Sequence, residues 1–161
     1  MKYARFHEVE AEPMTRGEHL KSKGLPLVPG TGSEYDEGYF IQYPDGYKSW
    51  CPKDAFEAAS RPIDGMTFGM AIEALKRGKK VARRGWNGKG MYLWLLPAAK
   101  VKAEWCKEPH LKELADANGG EIECLGSIRM FTHDSTGRKA VLTGWLASQS
   151  DMLGEDWEIV E

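Results

Sequence analysis

The six residues Ser60-Arg61-Pro62-Ile63-Asp64-Gly65 constrain the fold more than any other stretch of this chain. A helical pattern ends just before them and another begins just after. No helix runs through, because Pro62 lacks a backbone N–H and Gly65 has the loosest backbone of any residue. The 161-residue chain is therefore expected to fold as a small module over 1–62 and a second domain over 63–161. Up to Pro62 there are 8 basic and 10 acidic residues, and the remainder has 14 of each, so the total of -2 comes from the first piece. That balance argues against a DNA- or RNA-binding protein, which usually carries a strong basic excess. No apolar run approaches the roughly 18 residues that point to a membrane-spanning helix. Met1 to Glu8 lacks the apolar core of a signal peptide, so a cytoplasmic protein is expected.

The first module reads as strand, helix, loop, hairpin, helix. Arg5 to Met14 alternates weakly like a strand. Thr15-Arg16-Gly17-Glu18 has capping-box spacing, with a short helix ending at Gly24. Leu25 to Glu37 is a Pro/Gly-rich loop. Gly38–Tyr43 and Tyr47–Trp50 flank an Asp45-Gly46 turn, and Pro52 suits the first turn of a helix through Ala59. In the second domain Thr67 caps a helix carrying Phe68, Ile72 and Leu75 at helical spacing, with Gly78 as its stop. Strands are expected at Lys80–Arg83 and Met91–Leu96, a hairpin at Ile128–His133 and Lys139–Thr143, and a terminal strand from Trp157 to Val160. Residues 97–127 read as an insertion containing a helix near His110–Ala117. The fold class is α+β, a small mostly antiparallel sheet packed with a few short helices.

Two tryptophan-centred segments carry the functional signal: Gly85-Trp86-Asn87-Gly88-Lys89-Gly90, and Gly144-Trp145 through Leu153 closed by Asp156-Trp157. Each sets an aromatic face beside short polar groups, a combination that suits a planar polar ligand. Stacking of a base on an aromatic ring is worth roughly 1–3 kcal/mol. Asn87 offers in-plane hydrogen bonds, Lys89 a cation for phosphate, and Ser148, Gln149 and Asp151 partners for ribose hydroxyls. Tyr92, at the head of the next strand, joins the candidate set. The competing reading makes the tryptophans core anchors and the polar residues turn formers, most strongly for Trp157 and less so for the loop-borne Trp86. Among six clustered cations, Arg83 and Arg84 lie beside the Trp86 loop and are either an anion site or solvated surface. Serine-elbow, His-Glu-x-x-His, phosphate-loop and dinucleotide motifs are missing. Asp151 and Asp156 are the candidate bases if the chain is an enzyme, and turn caps otherwise. Three dispersed cysteines and four scattered histidines do not suggest a metal or cofactor.

Three stretches, Thr67–Lys76, Lys80–Met91, and Trp145–Leu153 with Asp156-Trp157, resemble the second Thoeris anti-defence family, small bacteriophage proteins that sequester nucleotide immune signals. The resemblance implies a non-catalytic sponge in the host bacterial cytoplasm. Its ligand would be glycocyclic ADP-ribose, with cyclic dinucleotides held by some members, and the assembly a homotetramer with pockets at subunit interfaces. It places Trp86 against adenine or at the pocket mouth, with Trp145, Ser148, Gln149 and Asp151 from the closing motif. The insertion and the first module depart from the family's compact form. That module resembles a small phage module of unassigned role, and its Tyr43, Tyr47 and Trp50 form either a contact surface or a compact core. Two other readings remain: a hydrolase or lyase acting on such nucleotides, and a phage protein-interaction module.

Overall fold

The computed structural model describes residues 7–161 and divides into two compact units, Met1–Pro62 and Ile63–Glu161. In the first unit, β1 (Glu10–Pro13), β2 (Gly38–Gln42) and β3 (Lys48–Pro52) form an antiparallel sheet in that order. Arg5 and Phe6, at the head of the expected first strand, lie outside the described residues; the strand itself is only four residues long. Helix α1 (Arg16–Ser22) starts at a complete capping box. The Thr15 hydroxyl accepts from the Glu18 N–H, and Glu18 Oε2 accepts from the Thr15 N–H at 2.8 Å. Gly46, at φ +85°, turns the hairpin as its Asp-Gly sequence predicts. Tyr39 stacks on Phe56 of α2 (Lys53–Ala59) at 4.4 Å. Trp50 lies against Gly38 and donates its indole N–H to the Met14 carbonyl at 2.8 Å, whereas Tyr47 is 64% exposed. The hairpin aromatics thus divide between core and surface.

The second unit is a five-stranded antiparallel sheet running Trp157–Val160, Lys80–Arg83, Tyr92–Leu96, Ser127–His133 and Lys139–Thr143 (β10, β4, β5, β8 and β9), an α+β fold whose helix at Phe68–Lys76 packs on one face. Helix α3 (Phe68–Lys76) begins at the Thr67 N-cap, and its Ala71, Ala74 and Leu75 are buried at helical spacing. Gly78, at φ +80°, ends it and feeds β4 (Lys80–Arg83). The core joins α3 to Val81 of β4, Leu93 of β5 (Tyr92–Leu96), Met130 of β8 (Ser127–His133), and Trp157 of β10 (Trp157–Val160). β9 (Lys139–Thr143) forms the far edge.

β5 and β8 pair directly, so the chain between them leaves and re-enters the sheet as a self-contained excursion. It contains a two-stranded sheet of β6 (Ala99–Lys102) and β7 (Glu121–Cys124), a 3-10 turn at Ala103–Trp105, and α4 (Pro109–Ala117). The helix falls where its sequence places it; the β6–β7 ladder has no counterpart in the expectation. At 149–153 a one-turn helix, α5 (Gln149–Leu153), lies where the turn-cap reading of Asp151 and Asp156 put a turn. Among the described residues no helix is long and apolar enough to cross a membrane.

Candidate functional site

Arg83 ends β4 opposite Trp157 in the β4–β10 register, so its side chain emerges beside the start of β10 and the end of α5. Its Nε donates to Asp156 Oδ1 at 2.7 Å and its Nη1 to Asp151 Oδ1 at 3.0 Å. The second oxygen of Asp156 accepts the Gly85 N–H at 2.7 Å. Asp151 Oδ1 also accepts the Trp86 indole N–H at 2.9 Å, while Oδ2 takes the Ser148 N–H at 2.9 Å and the Ser148 hydroxyl at 2.7 Å. Four donors fill the roughly four acceptor positions of one carboxylate. Ser148 and Asp151 form a reciprocal capping box on α5. The result is a polar latch tying the Trp86 loop to the closing motif.

Behind the latch three indoles meet. Trp86 contacts Trp157 edge-to-face at 5.5 Å and Trp145 at 6.1 Å, and Trp145 meets Trp157 at 6.2 Å. Trp157 is wholly buried, while Trp86 and Trp145 are half-buried at the rim. The two motifs, 59 positions apart between Trp86 and Trp145, thus converge on one place.

The electrostatics follow from this packing. Burial pushes the Asp151 carboxyl up, but the bonds from Trp86, Ser148 and Arg83 outweigh it and hold the group down at about 2. Asp156 is lowered chiefly by Arg83, against some burial, with help from the Gly85 N–H. Arg83 is correspondingly raised, first by Asp156. An Asp151 carboxyl depressed from 3.8 to about 2 stabilises the folded state fully above pH 3.8. That contribution disappears as pH falls toward 2, a loss of roughly 2 kcal/mol. A carbon-detected NMR titration should place the Asp151 midpoint near 2; an ordinary carboxylate midpoint would contradict the network.

The candidate residues therefore separate. Trp86, Trp145, Ser148, Asp151 and Arg83 come together, but the Asp151 carboxylate and the Arg83 guanidinium face inward on each other rather than outward. Arg84, Asn87, Lys89 and Gln149 are exposed on the same two segments, with Arg84 lying 3.9 Å from Asp64. Tyr92 does not join them. It shares the opposite face of the sheet with Phe131, its ring stacked on that residue at 5.1 Å under Lys80 at 5.3 Å. Two glycines escaped the sequence reading. A Cβ at Gly85 would lie 2.8 Å from Asp156 Oδ2, and one at Gly154 would lie 2.8 Å from Arg83 Cζ and Asp156 Oδ1. Both positions must be bare for the latch to close. The Ser148-x-x-Asp151 spacing was a legible helix signal there.

Comparison with known proteins agrees with this organisation. Residues 66–160 match the Tad2-like family, a Thoeris anti-defense 2-like domain. The chain is also 33% identical over 102 residues to Thoeris anti-defense 2 of Bacillus phage SP01, an alignment spanning 59% of this chain and 94% of that protein. The matched region runs from Met66, whose backbone bridges to Trp157, almost to the end of β10, and so contains the whole latch and the indole cluster. Through this unit, the chain belongs to the Thoeris anti-defense 2-like family.

Proposed function

We propose that this chain is a phage anti-defence protein that binds a cyclic ADP-ribose-type immune signal and holds it unaltered in the host cytoplasm. The SP01 relative is named for action against Thoeris, and this chain spans nearly all of that relative. Glycocyclic ADP-ribose is the first ligand to test, with cyclic dinucleotides next. In this reading Trp86 and Trp145 present indole surface to the base. Asn87, Ser148 and Gln149 meet the polar edge and ribose, and Lys89 and Arg84 meet the pyrophosphate. Arg83 and Asp151 act from behind by fixing the two motifs. Protomers assemble as a homotetramer, and the rim is completed between subunits.

One observation carries the choice of binder over hydrolase or lyase. The two candidate bases have their carboxylate oxygens occupied by Arg83, Trp86, Ser148 and Gly85, and both are held well into the ionised range. A carboxylate so engaged is a poor proton acceptor near neutrality. Of the candidate residues, those that stay exposed are the cations Arg84 and Lys89 and the neutral Asn87, Ser148 and Gln149, which suit recognition of a nucleotide.

Calorimetry with glycocyclic ADP-ribose tests this. Binding followed by heat release and chromatography should return the same nucleotide, whereas a converted product would establish an enzyme. Lys89→Ala and Asn87→Ala, both exposed, should weaken binding without moving Tm. Trp86→Ala should weaken it roughly 5- to 150-fold, the loss of one stacked base. No heat with any cyclic ADP-ribose isomer or cyclic dinucleotide would reject the proposal.

A further inference from the structure

The chain has only two asparagines, Asn87 and Asn118, and each is followed by glycine. In an Asn-Gly pair the glycine has no Cβ to hinder attack of its backbone nitrogen on the preceding side-chain amide. The structure sets the two pairs in opposite surroundings. Asn118 ends α4, where its backbone N–H donates to the Leu114 and Ala115 carbonyls at 3.1 Å. Its Nδ2 donates to the Glu121 carbonyl at 2.8 Å, so the amide is tied to β7. Asn87 sits at the tip of the Trp86 loop. The latch grips the near side of that loop, where the Gly85 N–H meets Asp156 and the Trp86 indole meets Asp151. On the far side the Met91 side chain fills the space a Cβ at Gly88 would need, and its sulfur accepts the Thr132 hydroxyl at 3.3 Å. Between these anchors Asn87 is exposed. Among the described residues, neither its side chain nor the Gly88 N–H makes a hydrogen bond.

We infer that Asn87 is a site of spontaneous deamidation that limits how long the recognition surface stays competent. The Gly88 nitrogen attacks the side-chain carbonyl carbon of Asn87 and a C–N bond forms. The amide leaves as ammonia, taking with it the proton of the Gly88 N–H. Water then opens the five-membered imide at either carbonyl. The product is aspartate or, with one extra carbon in the main chain, isoaspartate. The step draws on water alone. Either product replaces a neutral amide, which donates and accepts, by a carboxylate that only accepts. The new charge stands on the segment that carries Arg84 and Lys89, the cations proposed for the pyrophosphate, and it repels the phosphates they would hold. Isoaspartate also lengthens the loop between its two anchors. Bound nucleotide covers the Asn87 amide, so loaded protein ages more slowly than empty protein. The loss of binding rests on the proposed function; the modification itself does not.

The full chain, held in warm buffer of mildly alkaline pH and then digested with trypsin, tests this. Cleavage after Arg84 and Lys89 isolates Gly85–Lys89, and cleavage after Lys112 and Arg129 isolates Glu113–Arg129, so each asparagine reports separately. In the folded chain the Asn87 peptide should gain one mass unit and split into two chromatographic species several times faster than the Asn118 peptide does. In urea the two rates should converge, because only the fold separates them. An Asn87 peptide that stays intact, or converts no faster than Asn118 in the folded chain, overturns the inference. Asn87→Asp installs one of the two products and should weaken glycocyclic ADP-ribose binding roughly tenfold. Saturating ligand should slow conversion of the wild type. Conversion at Asn87 in a chain that binds no such nucleotide upholds the modification and rejects the proposed function. Conversion with binding unchanged by Asn87→Asp overturns the limit on competence.

Discussion

Replacing Asp151 with alanine is expected to destabilise the second unit by about 3 kcal/mol or more, a loss out of proportion to one small side chain. Asp151 is 11% exposed at its side chain and Arg83 14%, so the pair sits largely out of water. Removing one partner of a buried pair typically costs about 3–5 kcal/mol, because the other charge stays buried without compensation. Asp156 still holds the Arg83 Nε, which keeps the effect toward the lower end. Two further losses add to it: the Trp86 indole N–H loses its acceptor, and the N-terminus of α5 loses its capping box. In a unit of this size each kcal/mol moves Tm by roughly 4–8 °C, so Tm should fall by about 12 °C or more. Asp151→Asn isolates the charge. It retains one acceptor oxygen but turns an amide N–H₂ toward donors on the other side, so its Tm should fall between those of wild type and Asp151→Ala. An Asp151→Ala protein melting within a few degrees of wild type would show that the latch does not stabilise the unit.

The same latch shows where sequence reading succeeds and where it stops. Elements governed by local chemistry were legible. Thr15 and Glu18, Thr67 and Gly78, and Asp45-Gly46 each satisfy or terminate backbone through neighbours a few positions away, and each appears where its spacing puts it. Strands were expected at all five places where the sheet has them, and a mostly antiparallel pairing with them. The site was half legible. Trp86 and Trp145 stood out by residue type, and they do meet. What a single sequence does not encode is that Arg83 spans to Asp151 and Asp156, pairs 68 and 73 positions apart. Nor does it say that Gly85 and Gly154 are glycines because those side chains pass against them. Asp151 consequently looked like a ribose ligand, since an aspartate beside a tryptophan reads the same facing outward or inward. Tyr92 lies apart from the other candidates for a simpler reason. Strand residues alternate between faces, and proximity in sequence to Trp86 does not say on which side of the sheet it emerges. The β6–β7 ladder was hidden because a four-residue strand such as Ala99-Lys100-Val101-Lys102 gains its identity only from its partner.

Trp157→Ala is expected to be at least as damaging as Asp151→Ala, and to separate the indole cluster's structural role from its binding role. Trp157 is 0% exposed and contacts Phe68 at 5.5 Å as well as Trp86 and Trp145. Truncating a buried tryptophan to alanine costs about 3–5 kcal/mol, because apolar burial is lost and a cavity remains. The indole N–H adds a specific term, since it donates to the Asp151 carbonyl at 2.9 Å and so anchors α5 from below. Trp157→Phe keeps most of the ring volume but strands that buried carbonyl, at a cost of about 1–3 kcal/mol. Urea unfolding should therefore rank wild type above Trp157→Phe above Trp157→Ala. The cavity has a consequence at the rim as well, because both half-buried indoles rest on Trp157. Once that support is gone, Trp86 and Trp145 lean inward, and the surface proposed for the nucleotide loses its shape while Asn87 and Lys89 stay in place. Even the fraction of Trp157→Ala protein that remains folded at low temperature should then bind ligand far more weakly than Lys89→Ala does. Full-strength binding by a folded Trp157→Ala protein would mean that the two rim indoles do not form the recognition surface.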